Sequence, residues 1–170
     1  MPEKFFSIDV TPDWEAFRAT IMREGTPERV HYIELFLDRE VQEAIVKRFN
    51  LIDDLDQDDA YFLQQRAVRL QRFLGYDYVR QGVDALDMPL NRSTTQDTAE
   101  LARAGGRVYT DESKGPITSW EEFERYPWPD PEAVTTRALE WYERHLPDDM
   151  CVIGSGGFAH FAEYLTWLMG

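Results

Sequence analysis

Four short runs rich in β-branched and aromatic residues punctuate the chain: Arg29–Phe36, Tyr76–Arg80, Arg107–Thr110 and Met150–Ile153. Each is too short for a helix, and the first is nearly continuous in apolarity, as suits a strand covered on both faces. Between and around them, apolar residues recur at helical spacing. Trp14, Phe17 and Ile21 share one face after Thr11 and Pro12, which suit a cap and a first helical position, and Gly25-Thr26-Pro27 ends that helix. Val41, Ile45 and Phe49 follow Asp38, an expected N-cap. Ala60, Leu63, Ala67, Leu70 and Leu74 follow, closed by Gly75. Ser119 and Glu122 form a capping box. Asp130 and Pro131 open a helix with Val134, Ala138, Leu139, Trp141 and Tyr142 on its buried side. Phe161, Tyr164, Leu165 and Leu168 mark a last one.

Strands alternating with helices argue for parallel β/α units. About four units fit into 170 residues, whereas a closed barrel takes about twice that number and about 250 residues. Either a small open α/β sheet or half of something larger satisfies this count. The final helix reads as unfinished at Gly170, which favours the second. No internal repeat suggests a solenoid.

Charge and composition exclude several functions. The net charge of −14 repels phosphate backbones and anionic membrane surfaces. Nucleic acid is therefore not an expected partner. No window reaches the roughly 18 apolar residues of a membrane helix, and the N-terminus lacks a basic segment followed by an apolar core, so no membrane and no secretory leader are expected. Cys151 is the single cysteine. It can form neither an internal disulfide nor a thiolate metal site alone, which fits a reducing cytoplasm. The acidic stretch Asp53–Asp59 lacks the central glycine and the closing glutamate of a calcium loop. It is read as capping the helix that follows.

One segment is distinctive. Residues Gly115-Pro116-Ile117-Thr118-Ser119-Trp120-Glu121-Glu122-Phe123-Glu124-Arg125-Tyr126-Pro127-Trp128-Pro129-Asp130-Pro131 resemble the G-x-I-x-S-W-E-D-x-E-x-Y-P-W-P-D-P segment of uroporphyrinogen decarboxylase-like proteins. The segment is prominent in the branch that includes corrinoid-linked methyltransferases. Thr26-Pro27-Glu28-Arg29-Val30, Leu74-Gly75-Tyr76-Asp77, and Gly154-Ser155-Gly156-Gly157-Phe158 with the closing Leu168-Met169-Gly170 resemble further segments of that branch. The resemblance runs from about residue 26 to the end. It implies an α/β fold: the N-terminal half of a (β/α)8 TIM barrel with about four parallel strands and an N-terminal helical extension. The expected domains are residues 1–28, the extension, and residues 29–170, a partial barrel truncated at its C-terminus. Unpaired strand edges would invite pairing, so a homodimer is an expected assembly.

The resemblance also implies chemistry. Uroporphyrinogen decarboxylases carry R-Q-A-G-R-Y after the first strand, whose arginines hold the substrate carboxylates. Here the corresponding stretch is the acidic Glu34-Leu35-Phe36-Leu37-Asp38-Arg39-Glu40. Corrinoid- or tetrapyrrole-linked methyl transfer is thus favoured over decarboxylation. A non-catalytic half-barrel that binds a partner or dimerises is the alternative, and the fragment alone is expected to be inactive. Expected partners are a tetrapyrrole or a corrinoid, including a corrinoid protein. No cofactor is expected in this fragment. Zinc and a corrinoid belong to the complete protein, since the zinc-binding His and two Cys lie in the second half of that family's chain.

In a barrel, chemistry collects at the C-terminal ends of strands. That rule, with the resemblance, selects Glu34, Asp84, His160 and Tyr164 as catalytic candidates, and Arg80, Gln81, Asp111, Gly156 and Gly157 as substrate-binding candidates. Gln81 or Asp84 occupies the place of the family's pyrrole-binding aspartate. His160 follows a glycine turn at a strand-to-helix junction, where backbone N–H groups hold anions. No metal-ligating residue is expected. His31 falls too early on its strand to reach the active face and is read as packing.

Overall fold

A computed structural model describes residues 10–34, 37–101, 103, 105–154 and 161–170. The chain divides into two compact units, one comprising residues 1–81 and 138–154, the other 82–137 and 155–170.

The first unit opens with α1 (Trp14–Ile21), capped by Asp13, whose side chain accepts the Ala16 N–H. The cap is therefore two residues later than Thr11. Phe17 is buried and stacks on Tyr78, ring centroids 5.8 Å apart. α2 (Arg39–Arg48) buries Val46, and Asp38 stands at its N-cap without a side-chain cap bond. In the acidic stretch, Asp56 and Asp59 accept the N–H groups of Asp58 and Tyr61 and shape the turn before α3 (Phe62–Phe73). At the end of α3, Gly75 takes φ +79°. A side chain there would also meet Val10, since a Cβ would lie 2.9 Å from the Val10 Cβ.

β1 (Tyr78–Gln81) follows at once. In the second unit, β2 (Arg92–Thr95) and β3 (Arg107–Thr110) form an antiparallel pair, with Arg92 opposite Thr110 and Thr95 opposite Arg107. α4 (Trp120–Arg125) and a 3₁₀ turn at Pro131–Ala133 come next. The chain returns to the first unit through α5 (Arg137–His145) and β4 (Cys151–Gly154), which pairs parallel with β1 from Tyr78–Cys151 to Gln81–Gly154. The second unit closes with α6 (Phe161–Met169).

Each unit has its own core. Val79, Tyr142 and Met150 anchor the first, with Val68, Trp141, Leu146 and Val152 against them. Ile117, Tyr126 and Leu168 anchor the second, with Met88 and Leu90. Gly115 lies against α6 so closely that a Cβ would sit 2.2 Å from the Leu168 carbonyl oxygen. A glycine is required there by close approach of two backbones.

The expected half-barrel of four parallel strands is overturned. Among the described residues there are four strands in two sheets, one parallel pair and one antiparallel pair. The expected strand at Arg107–Thr110 exists, but its partner is Arg92–Thr95, inside a polar stretch (Pro89–Gln96) that reads as loop. Hairpin pairing needs no intervening helix, so alternation fails here. The expected first strand is also absent in its described part: residues 29–34 pair with no strand, and Val30, Tyr32 and Ile33 are 78%, 54% and 63% exposed. Strand composition predicts fit to a pleated surface, and among the described residues this stretch meets its neighbours through side chains and not through a backbone ladder. The helix expected from Pro131 is interrupted. The β-branched run Val134-Thr135-Thr136 stays extended, and the Thr135 carbonyl accepts the Asp84 N–H at 3.1 Å. No helix among the described residues is long and apolar enough to cross a membrane.

Candidate functional site

The most chemically loaded point lies at the entry to β1. Asp77, the residue before the strand, is fully buried. A bare carboxylate is costly to remove from water, so its oxygens must be satisfied. Oδ1 accepts the Asp13 backbone N–H at 2.7 Å and a guanidinium N–H of Arg29. Oδ2 lies 2.8 Å from His31 Nδ1. The His31 side chain is only 3% exposed, with its ring centroid 5.7 Å from that of Phe17. Three segments therefore converge on one carboxylate: the start of α1, the extended stretch 29–31 and the entry to β1. The alternation of Arg29, Val30 and His31 turns the guanidinium and the imidazole inward and Val30 outward.

A cavity of about 860 Å³ adjoins this cluster. Arg29 and His31 line it together with Glu24, Glu28, Asp148 and Asp149. Arg72 grips Asp149 through both guanidinium nitrogens, at 2.5 and 2.6 Å. That pairing holds the Asp149 carboxyl below the usual carboxylate range and raises Arg72. The Asp148 and Asp149 carbonyls accept the Trp14 indole N–H and backbone N–H, fixing α1 to the loop before β4.

Chemically, a buried carboxylate on Nδ1 holds an imidazole in one orientation and favours the tautomer that carries its proton on Nδ1. Nearby groups are quiet. Burial pushes the Tyr142 hydroxyl up to about 12. Burial and the Asp77 charge raise the Cys151 thiol and keep it protonated. Tyr76 is raised by burial, then by the charge of Glu34.

The residues selected from the sequence are divided between the units. In the first, Glu34 is exposed and its backbone N–H donates to the Tyr78 hydroxyl at 3.0 Å. Arg80 and Gln81 end β1, at the opposite end of the strand from Asp77. In the second, Asp84 is exposed in its bridge to Thr135. Asp111 is occupied at the end of β3: it accepts the Ser113 hydroxyl and N–H at 2.7 and 3.0 Å and the Ser93 hydroxyl at 3.2 Å, and Ser113 chiefly lowers its pKa. It serves a turn. Tyr164 packs edge-on against Trp167, 5.0 Å between centroids. Gly156, Gly157 and His160 lie outside the described residues.

Comparison with protein-family models, with curated proteins and with solved structures finds no match. Asp77 and Arg29 were not among the sequence candidates. A charged residue directly before an apolar strand and an Arg-x-His alternation were the available signals, and neither identifies its partner without the fold. Among the described residues no group of three or more His, Cys, Asp and Glu side chains could hold a metal ion.

Proposed function

We propose that this chain handles a corrinoid, or a related tetrapyrrole, in methyl transfer, as the resemblance to uroporphyrinogen decarboxylase-like proteins implies. One observation carries the reading. Two segments that bear the resemblance, Gly115–Pro131 and Leu168–Gly170, lie far apart in sequence yet meet backbone to backbone. The Ile117 N–H donates to the Leu168 carbonyl at 2.9 Å, beside the glycine that has no room for a side chain. Tyr126 of the same segment donates its hydroxyl to the Pro89 carbonyl at 2.7 Å. Ile117, Tyr126 and Leu168 of these segments anchor the core of the second unit, and a common ancestor would leave such residues unchanged.

The acidity of the chain favours corrinoid over porphyrinogen. A porphyrinogen rimmed with carboxylates meets repulsion from a chain of net charge −14. A corrin ring rimmed with neutral amides offers donors that carboxylates accept. Arg80 and Gln81 are assigned to holding the ligand, and Glu34 to proton handling.

The test is titration of the full chain with hydroxocobalamin, followed by visible absorbance. A saturable shift of the corrin bands is expected. An unchanged spectrum, or carbon dioxide release from uroporphyrinogen, would replace methyl transfer with another reading.

A further inference from the structure

The second unit carries an aromatic ladder that its core does not absorb. Trp120 is 78% exposed, and Phe123 and Trp128 are about half as exposed. Their rings run in sequence: Trp120 to Phe123 at 5.7 Å, Phe123 to Trp128 at 5.1 Å, and Trp128 to the buried Tyr126 at 4.7 Å. Such a row is costly to leave in water. It is also held rigidly. The Trp128 indole N–H donates to the Phe123 carbonyl at 3.1 Å, the Trp128 N–H to the Tyr126 carbonyl at 2.8 Å, and Pro127 and Pro129 flank it.

The charge around the ladder is one-sided. Glu121, Glu122, Glu124, Asp130 and Glu132 are exposed on the same segment, against the single base Arg125. Local bonds occupy part of this set. Glu122 accepts the Thr118 N–H and hydroxyl, and Asp130 accepts the Glu132 N–H. Arg125 donates its Nε–H to the Glu121 carbonyl at 2.9 Å. Glu121 and Glu124 are exposed on the same helix, α4, as Trp120 and Phe123.

We infer that this face docks a basic peptide segment, whose arginine or lysine stems lie on Trp120, Phe123 and Trp128 while their cationic heads meet Glu121 and Glu124. An aromatic face attracts a cation through its quadrupole, and flanking carboxylates add Coulomb attraction. The same charges disfavour nucleic acid, whose bases could otherwise stack on such rings. This inference does not depend on the corrinoid reading.

The test uses the full chain and a short labelled peptide alternating arginine and glycine, read by fluorescence anisotropy and by quenching of tryptophan emission. Saturable binding that weakens with salt is expected. Trp120→Ala removes a side chain exposed to solvent, leaves the circular dichroism unchanged, and weakens binding about threefold or more. Glu121→Gln with Glu124→Gln weakens it as well and flattens the salt dependence. Binding untouched by Trp120→Ala would reduce the effect to bulk charge and overturn the inference. Equal binding of a proline-rich peptide would assign the face to a different ligand and overturn it too. So would a wild-type dimer in sedimentation that Trp120→Ala dissolves, since a second copy would then be the occupant.

Discussion

Asp77 has no water to solvate it, so its neighbours do the work of solvent. The Asp13 N–H, Arg29 and His31 between them satisfy both oxygens. Removing the carboxylate would strand the buried His31 imidazole, the Asp13 N–H and a part-buried guanidinium. Asp77→Ala is therefore expected to cost about 3–5 kcal/mol, read as a lower urea midpoint. Asp77→Asn keeps an acceptor for the Asp13 N–H and loses less. A loss within about 0.5 kcal/mol for Asp77→Ala would mean that the cluster is incidental to stability. The sequence reading of His31 as a packing residue matches its burial and its contact with Phe17, but not the carboxylate on its Nδ1. That carboxylate lies 46 positions away in the chain, and periodicity carries no information about such a pairing.

Short elements here are defined by their caps more than by their length. α4 is only six residues long, and Ser119 accepts the Glu122 N–H at its start, as the capping box implies. The Glu122 carboxylate, however, reaches the Thr118 N–H and hydroxyl, both at 2.7 Å. Asp97 performs the same task for the connection between β2 and β3. It accepts the N–H groups of Ala99 and Arg103 and the Nε–H of Arg107. These bonds, the Arg103 N–H foremost, lower its pKa to about 2 from the usual 3.8. A carboxyl lowered on folding stabilises the fold above its unfolded value, and that contribution is lost as pH falls through the folded value. Amide protection at Ala99 and Arg103 should therefore decay between about pH 4 and pH 2, and Asp97→Asn should remove that decay. Protection that persists unchanged at the acid end in the wild type would contradict the assignment. The β2–β3 hairpin itself was only half legible. Val108 and Tyr109 signal a strand, whereas Arg92-Ser93-Thr94-Thr95 is polar and earns its pairing only from its neighbour.

At the scale of the whole molecule, net charge sets the background. At −14, the compact state repels itself. Raising salt from low to physiological strength screens that repulsion, so the melting temperature should rise by about 2–4 °C. A fall on adding salt in a calorimetric scan would mean that ion pairs such as Arg72–Asp149 outweigh it. The local determinants of this protein are written in its sequence: the helical faces, the glycine that ends α3, the cap of α4 and the strand composition of Tyr76–Arg80 and Met150–Ile153, within which most of the parallel pair β1–β4 falls. Which strands pair, and in which direction, was decided only by the tertiary structure. Composition states that a segment suits a sheet, but hydrogen bonding between distant backbones selects its partner. For that reason an alternation compatible with four parallel strands became one parallel pair and one antiparallel pair. The side chains gathered around Asp77 likewise became a cluster only once the chain had folded.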